Sequence, residues 1–300
     1  MDEASFLARL RALPLHPGAR DLRDDAATLG RFVVTSDTLV EGVHFLPSDP
    51  PGDIAWKLVA TNLSDLAAKG ARVAAITLNY PLSDDDWDDA FLRGLDAVTR
   101  AHAAPLLGGD TVTLPRGAPR ILTVTAFGDD AAAPPRSGAR AGDALWVTGT
   151  IGDAGAGLAA ARDGALTDDA GTAYLLARYR RPTPRLAEGR ALAPHVNAMM
   201  DVSDGLLIDA ARMAAASGLA VTVALDTVPR SAQACAWGIS ALDAATAGDD
   251  YELLFAAPAG WSPPVAATRV GAFASGAGLS LTLGGAPVAL PAHLGYQHGA

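Results

Sequence analysis

A two-domain protein of the α/β or α+β class is predicted, on three observations. The chain has 300 residues, more than a single hydrophobic core usually fills. Half of them are hydrophobic, so a core is assured, and a single large α/β domain is the alternative. Strand and helix patterns alternate along the chain, and between Asp129 and Gly142 they give way to Ala, Pro, Gly and Arg, including Ala133-Pro134-Pro135-Arg136-Ser137-Gly138, which reads as a linker. The expected domains are residues 1–135 and 136–300.

In order, Glu3 to Leu13 is a short helix candidate before a Pro/Gly-rich loop. Asp24-Asp25 follows, and then an apolar strand, Arg31 to Val34, that runs into Thr35-Ser36-Asp37-Thr38. Asp53 is a plausible N-cap for a helix to Ala68, with Lys69 near its end and Gly70 as the stop. Leu58, Asn62 and Asp65 share one stripe of that helix, so an amide and a carboxylate sit on an otherwise apolar element. A strand Val73 to Leu78 and a helix from about Asp84 to Ala103 come next. Leu106-Leu107 is a short strand ending in Gly108-Gly109-Asp110-Thr111, and Ile121 to Phe127 alternates as a half-buried strand. Past the linker, Ala144 to Thr148 is a strand and helices surround Arg181-Pro182-Thr183-Pro184. Met199-Met200-Asp201-Val202-Ser203-Asp204-Gly205 carries a strand into a helix from Leu206 to Ala216. Leu219 to Leu225 is a strand, and Gly248-Asp249-Asp250-Tyr251 turns into another.

Several functions are disfavoured by composition. A formal charge of −10 without basic clusters argues against nucleic acid and anionic membranes. No apolar run is long enough to span a bilayer and no signal-peptide pattern opens the chain, so a cytoplasmic protein is expected. The lone Cys235 permits neither an internal disulfide nor a cysteine metal cluster. Only Lys57 and Lys69 are lysines, and neither follows a glycine, which removes the loop G-x-x-x-x-G-K-[ST]. Phosphate binding then falls to metal ions and arginine. Gly149, Gly152, Gly155 and Gly157 lack the dinucleotide-binding spacing.

Six aspartates, Asp25, Asp37, Asp65, Asp110, Asp201 and Asp204, are each expected at a strand end, in a turn or on an apolar helix face. Like charges about 4 Å apart repel by about 4 kcal/mol per pair at an effective dielectric of about 20. Several divalent cations would turn that liability into a site, and hard oxygen donors suit magnesium.

The motifs Asp24-Asp25-Ala26-Ala27, Thr35 to Phe45, Asn62-Leu63-Ser64-Asp65-Leu66-Ala67-Ala68-Lys69-Gly70, Gly108-Gly109-Asp110-Thr111, Asp201 to Leu206 and Gly248 to Leu253 resemble, in order, those of the thiamine-monophosphate kinase family. The resemblance runs from about Asp24 to Tyr296. It implies a two-domain aminoimidazole-ribonucleotide synthetase-like fold, with mixed sheets flanked by helices, and a homodimer formed through the N-terminal domains. ATP and several magnesium ions would bind between domains, the N-terminal domain carrying ATP, magnesium and the dimer contact and the C-terminal one completing the site. The implied reaction is ATP plus thiamine phosphate giving ADP plus thiamine diphosphate.

By the same resemblance, Asp25, Thr35, Ser36, Asp37, Asp65, Asp110, Asp201 and Asp204 are expected to hold magnesium, with Asp37, Asp65 and Asp204 central to catalysis. Gly109, Asp110, Arg136 and Ser203 are expected at ATP, and His44, Asp249 and Tyr296 at thiamine phosphate. Leu22-Arg23 stands where the family usually has a glycine-rich run, and Asp249 where it often has Glu. Other ATP-dependent members of the superfamily, and a nucleotide-binding regulator without catalysis, remain the alternatives. Since a phosphomonoester's second pKa is about 6, the acceptor oxygen needs no strong general base. Neutralising and positioning two polyanions is the task, and relief of one contact of about 4 kcal/mol is worth about a thousandfold in rate.

Overall fold

A computed structural model describes residues 3–164 and 169–297. It contains two sheets, each with its own core. The first part of the chain runs α1 (Glu3–Leu10), β1 (Ala27–Leu29), β2 (Phe32–Val40), α2 (Pro51–Ala68), β3 (Arg72–Leu82), α3 (Asp85–Ala101), β4 (Leu106–Thr113) and β5 (Ile121–Asp129). Its five strands lie in the order β1-β2-β5-β3-β4, with β3 and β4 parallel and the other pairs antiparallel.

The second part runs β6 (Asp143–Thr148), α4 (Asp153–Arg162), α5 (Ala170–Arg180), α6 (Leu186–Leu192), β7 (Ala198–Asp201), α7 (Leu206–Ser217), β8 (Leu219–Ala224), α8 (Ala232–Trp237), α9 (Ala241–Thr246), β9 (Leu253–Pro258), β10 (Ala267–Ser275), β11 (Gly278–Leu283) and β12 (Ala286–Val288). These strands form a seven-stranded sheet ordered β12-β11-β8-β10-β6-β9-β7, in which β8 and β11 are parallel. Both sheets are therefore mixed, as expected. Among the described residues no helix is long and apolar enough to cross a membrane.

The helix α2 joins the two halves. It is buried on almost every side, including at polar Lys57, Thr61, Asn62 and Ser64, because it packs on the first sheet and α3 while touching α6 and β7 of the second half. Ala67 and Ala68 belong to a small core with Leu192, Met199, Leu253 and Phe255. At Gly189 of α6, a Cβ would lie 2.0 Å from the Ala67 carbonyl oxygen, so the two halves meet backbone to backbone. Helix α2 starts at Pro51 after an N-cap at Pro50 without a side-chain bond; Asp53 lies in its first turn rather than capping it. It stops at Gly70, whose φ of +62° suits glycine.

Two strands run further than their apolar stretches predict. The β2 strand continues through Thr35-Ser36-Asp37-Thr38, with Asp37 paired to Val124 of β5, so Asp37 is inside a strand and not at its end. Hydroxyl and β-branched residues fit a half-covered pleat as well as apolar ones do. In the same way β4 continues through Gly109 and Asp110. Gly109 has φ +153°, and a Cβ there would lie 1.8 Å from the Leu78 carbonyl oxygen.

Candidate active site

One cleft of about 1720 Å³ between the two sheets gathers most of the expected residues: Asp25, Thr35, Ser36, Asp37, His44, Asp65, Arg136, Asp201, Ser203, Asp204, Asp249 and Tyr296 all line it. Its floor is acidic. One carboxylate oxygen each from Asp25, Asp65 and Asp201 lie within 4.8 Å of one another. They arrive from the loop before β1, from α2 and from the end of β7. Thr35 donates to Asp65 Oδ2 at 2.5 Å, and the Asn62 side chain accepts from the Asp37 backbone N–H at 3.0 Å while donating to Leu58 O at 2.9 Å. The amide and carboxylate stripe on α2 is thus explained: it fixes β2 against the helix.

Alternation along β2 divides the hydroxyls. Thr35 and Asp37 face the carboxylates, while the Ser36 and Thr38 hydroxyls bond to Thr125 and Thr123 of β5 at 2.9 and 2.8 Å on the opposite face. Gly109 and Asp110 are not brought to the cluster. Thr38, Thr123, Asn79 and Asp110 occupy one row across β2, β5, β3 and β4, so three strand spacings, about 14 Å, separate Asp110 from Thr38. Asp110 is exposed.

Burial and mutual repulsion raise the proton affinity of most of these carboxylates. Burial raises the Asp37 carboxyl to about 6, helped by the charges of Asp25 and Asp204. Burial and the Asp25 charge raise Asp201 to about 8. Asp65 is likewise raised, by burial and then by Asp37, Asp201 and Asp25. Asp25 goes the other way: burial would raise it, but Lys69 and Arg136 outweigh burial and hold it at about 2. Arg136 is ion-paired to Asp25 Oδ1, and its Nε is buried without a hydrogen-bond partner. Carboxylate oxygens with raised proton affinity beside an unsatisfied guanidinium N–H form a donor set that fits magnesium and a phosphate.

A pH dependence follows for the cation-free protein. A carboxyl whose folded pKa exceeds its unfolded value of 3.8 stabilises fully below 3.8, and that stability is lost as pH rises through the folded value, about 6 for Asp37 and about 8 for Asp201. Asp25, depressed to about 2, acts oppositely, its contribution being lost only as pH falls through about 2. The thermal midpoint of chelator-treated protein is expected to fall by several degrees from about pH 5 to about pH 8.5 and to recover with added magnesium. A flat profile would contradict this electrostatic picture.

Four supporting residues escaped the sequence reading. Asp209, fully buried in α7, accepts from the backbone N–H groups of Ser203, Asp204 and Gly205 at 3.1, 3.1 and 3.3 Å and so shapes the loop that carries Ser203 and Asp204. Arg212 bridges Asp204 at 2.5 Å and Asp209 at 2.9 Å. The visible signal was an Asp in the first helical turn with Arg three residues on, a pattern also common on solvated helices. Lys69 donates to Asp24 at 2.5 Å, Asp25 at 2.8 Å, Met199 O at 3.2 Å and Pro134 O at 3.3 Å. Lys57 reaches Asp249 at 2.7 Å. Both lysines read as ordinary helix positions in sequence, yet both are buried.

Elsewhere on the cleft, the turn after β2 holds His44, whose Nδ1 accepts from Val40 N–H at 3.0 Å. The Tyr296 backbone N–H donates to Asp204 O at 2.9 Å, which carries the C-terminal segment to the cleft.

Two mixed sheets enclosing an acidic cleft define an AIR synthase related protein: residues 23–129 match the family model of the N-terminal domain and residues 140–281 that of the C-terminal domain. Within that class, thiamine-monophosphate kinase from Caulobacter vibrioides is 38% identical over 309 residues, covering 94% of this chain and 86% of the relative. The Salmonella typhimurium enzyme of that name is 38% identical over 252 residues, 78% of this chain and 75% of the relative. The chain belongs to the thiamine-monophosphate kinase family. A solved structure of AaThiL complexed with AMPPCP and TMP matches with a TM-score of 0.86 at 27% identity, covering 99% of this chain and 97% of that one.

Proposed function

We propose that this enzyme transfers the γ-phosphoryl group of ATP to thiamine phosphate, giving thiamine diphosphate and ADP. The observation that carries this reading is the convergence of Asp25, Asp65 and Asp201 from three separate segments in a cleft that also holds Arg136 and His44, in a chain of this family. The complex of AaThiL with AMPPCP, an ATP analogue, and TMP supports ATP as donor, and ATP use accords with the cytoplasmic location expected from sequence.

In this reading Asp25, Asp37, Asp65, Asp201 and Asp204 hold magnesium, with Thr35 fixing Asp65 and Ser36 contributing through its backbone. Bound magnesium would neutralise the phosphates of both substrates. Arg136 leaves Asp25 for an ATP phosphate, and Ser203 meets ATP from the loop set by Asp209. His44, Asp249 and Tyr296 orient thiamine phosphate, whose ionised phosphate oxygen attacks in line without a phosphoenzyme. Residues 1–135 supply most of the cation ligands and residues 136–300 close the site over both substrates.

A homodimer through the N-terminal sheet belongs to this reading. On that sheet Leu106, Leu107 and Val112 of β4 and Ile121 of β5 are 56%, 69%, 49% and 48% exposed, apolar side chains that suit a partner. Gly109 and Asp110, distant from the cluster of their own chain, would serve the site of the second copy.

Two experiments test these points. Purified protein with ATP, magnesium and thiamine phosphate is expected to form thiamine diphosphate; ATP binding without that product would refute the reaction. For the shared site, Asp37→Asn and Asp110→Asn, each inactive alone, are mixed and allowed to exchange subunits. A composite site predicts recovered turnover in the heterodimer, because one of its two sites is then intact. No recovery in a confirmed heterodimer would place Asp110 in its own chain's site or in none.

A further inference from the structure

Lys57 lies behind the cleft, on α2, with a side chain only 2% exposed. Its ammonium donates to Asp249 Oδ2 at 2.7 Å and to the His44 carbonyl at 3.0 Å, and it stands 4.2 Å from the centre of the Tyr179 ring. Two oxygen acceptors and an aromatic face account for its three N–H groups. The two oxygens belong to the two halves of the protein. His44 is on the turn that follows β2, where Gly42 N–H meets Phe45 O at 2.9 Å, and Asp249 is on the turn that precedes β9.

The Asp249 turn is itself held under strain. Asp249 and Tyr251 have φ of +69° and +52°, a left-handed conformation that a non-glycine residue keeps only when its surroundings enforce it. Here the backbone N–H groups of Asp249 and Tyr251 donate to Ser203 O and Val202 O, both at 2.8 Å, and the Tyr251 hydroxyl donates to Asp249 Oδ1 at 3.1 Å. Each oxygen of the Asp249 carboxylate therefore has its own donor, one from the same turn and one from across the cleft.

We propose that Lys57 is a positioning residue for the acceptor substrate: by holding the Asp249 carboxylate and the His44 carbonyl on one ammonium, it sets the separation and orientation of the two groups that receive thiamine phosphate. This rests on the assignment of His44 and Asp249 to the acceptor. The bond joins the two halves behind the acceptor end of the cleft, whereas Asp25 is held by Lys69 and Arg136 and the loop of Ser203 and Asp204 by Asp209 and Arg212. Loss of Lys57 thus loosens acceptor binding and spares ATP.

The test compares Lys57→Met, Lys57→Arg and Tyr251→Phe with Asp249→Asn and His44→Ala, measuring KM for each substrate. Lys57→Met is expected to raise KM for thiamine phosphate by about 10- to 100-fold, the loss of a charge-assisted hydrogen bond, with KM for ATP within about twofold. Lys57→Arg is expected to recover part of the loss, and Tyr251→Phe to shift the same KM by less. In a double-mutant cycle, Lys57→Met adds little to Asp249→Asn because both remove one interaction. Equal rises in both KM values, additive effects, or a change confined to thermal stability would overturn the proposal. Should Lys57→Met fail to fold, Lys57→Arg and Tyr251→Phe decide it, and unchanged acceptor KM in both counts against. Should Asp249→Asn and His44→Ala leave acceptor KM unchanged, the acceptor assignment itself has failed; if they raise it and the Lys57 variants do not, only the role of Lys57 has.

Discussion

Replacing Asp37 by Asn is expected to abolish all but a residual turnover, about a hundredth to a thousandth of the parent's, while leaving the fold intact or slightly more stable. The side chain stays the same size, and the backbone N–H of residue 37 keeps its bond to Asn62, so β2 holds its register on β5. What disappears is one negative charge, and in the cation-free protein that charge is unfavourable: burial, Asp25 and Asp204 all raise the Asp37 carboxyl. Removing a group whose ionisation is opposed relieves strain, the usual exchange of stability for function at an active site. An amide oxygen is a far weaker magnesium donor than a carboxylate. Loss of such an electrostatic contact to the transferred group lowers kcat by about a hundredfold to a thousandfold. Steady-state kinetics across a magnesium titration, beside a thermal melt, checks both halves. Near-normal activity at low magnesium would contradict the assignment, and a large fall in melting temperature would make Asp37 a structural residue.

Lys69→Met is expected to have the largest effect on stability. The Lys69 ammonium is 1% exposed and is paired with Asp24 and Asp25, whose side chains are 5% and 4% exposed. It also holds the carbonyls of Pro134 and Met199, so one charge ties α2 to the loop before β1, to the linker and to β7. Methionine fills similar volume but leaves two buried carboxylates with, among the described residues, Arg20 and Arg136 as their ion-pair partners. Breaking a buried pair from one side costs about 3–5 kcal/mol, a large share of the roughly 5–15 kcal/mol that a folded domain has in total. A fall in melting temperature of about 10 °C is expected at neutral pH. Thermal unfolding followed by circular dichroism measures it, and a midpoint within a degree or two of the parent would show that Lys69 is not the tie described.

Much of this was legible in the sequence because the relevant signals are local. The helix stop at Lys69-Gly70, the alternation of Ile121 to Phe127 and the run from Met199 into Asp204 each follow from short-range rules. The carboxylate cluster was legible for a different reason: several aspartates on otherwise apolar elements need a shared cause. What was not legible depended on long-range pairing. The extension of β2 through Asp37 comes from its ladder with β5, which no local pattern announces. The row that separates Asp110 from Thr38 exists only once the strand order is known. Lys57 and Lys69 fell among ordinary helix positions, yet burial of α2 between the two halves makes their ammonium groups the ties between them. The resemblance places Ser36 with Thr35 and Asp37, although the pleat turns its side chain to the other face.

A single-turnover experiment with γ-labelled ATP, excess enzyme, magnesium and thiamine phosphate tests direct transfer between the two bound substrates. The label is expected in thiamine diphosphate at the rate at which ATP disappears, with acid-quenched protein carrying no more than background. Labelled protein that appears first and decays into product would contradict in-line transfer, and release of the label as inorganic phosphate without thiamine diphosphate would contradict the reaction itself.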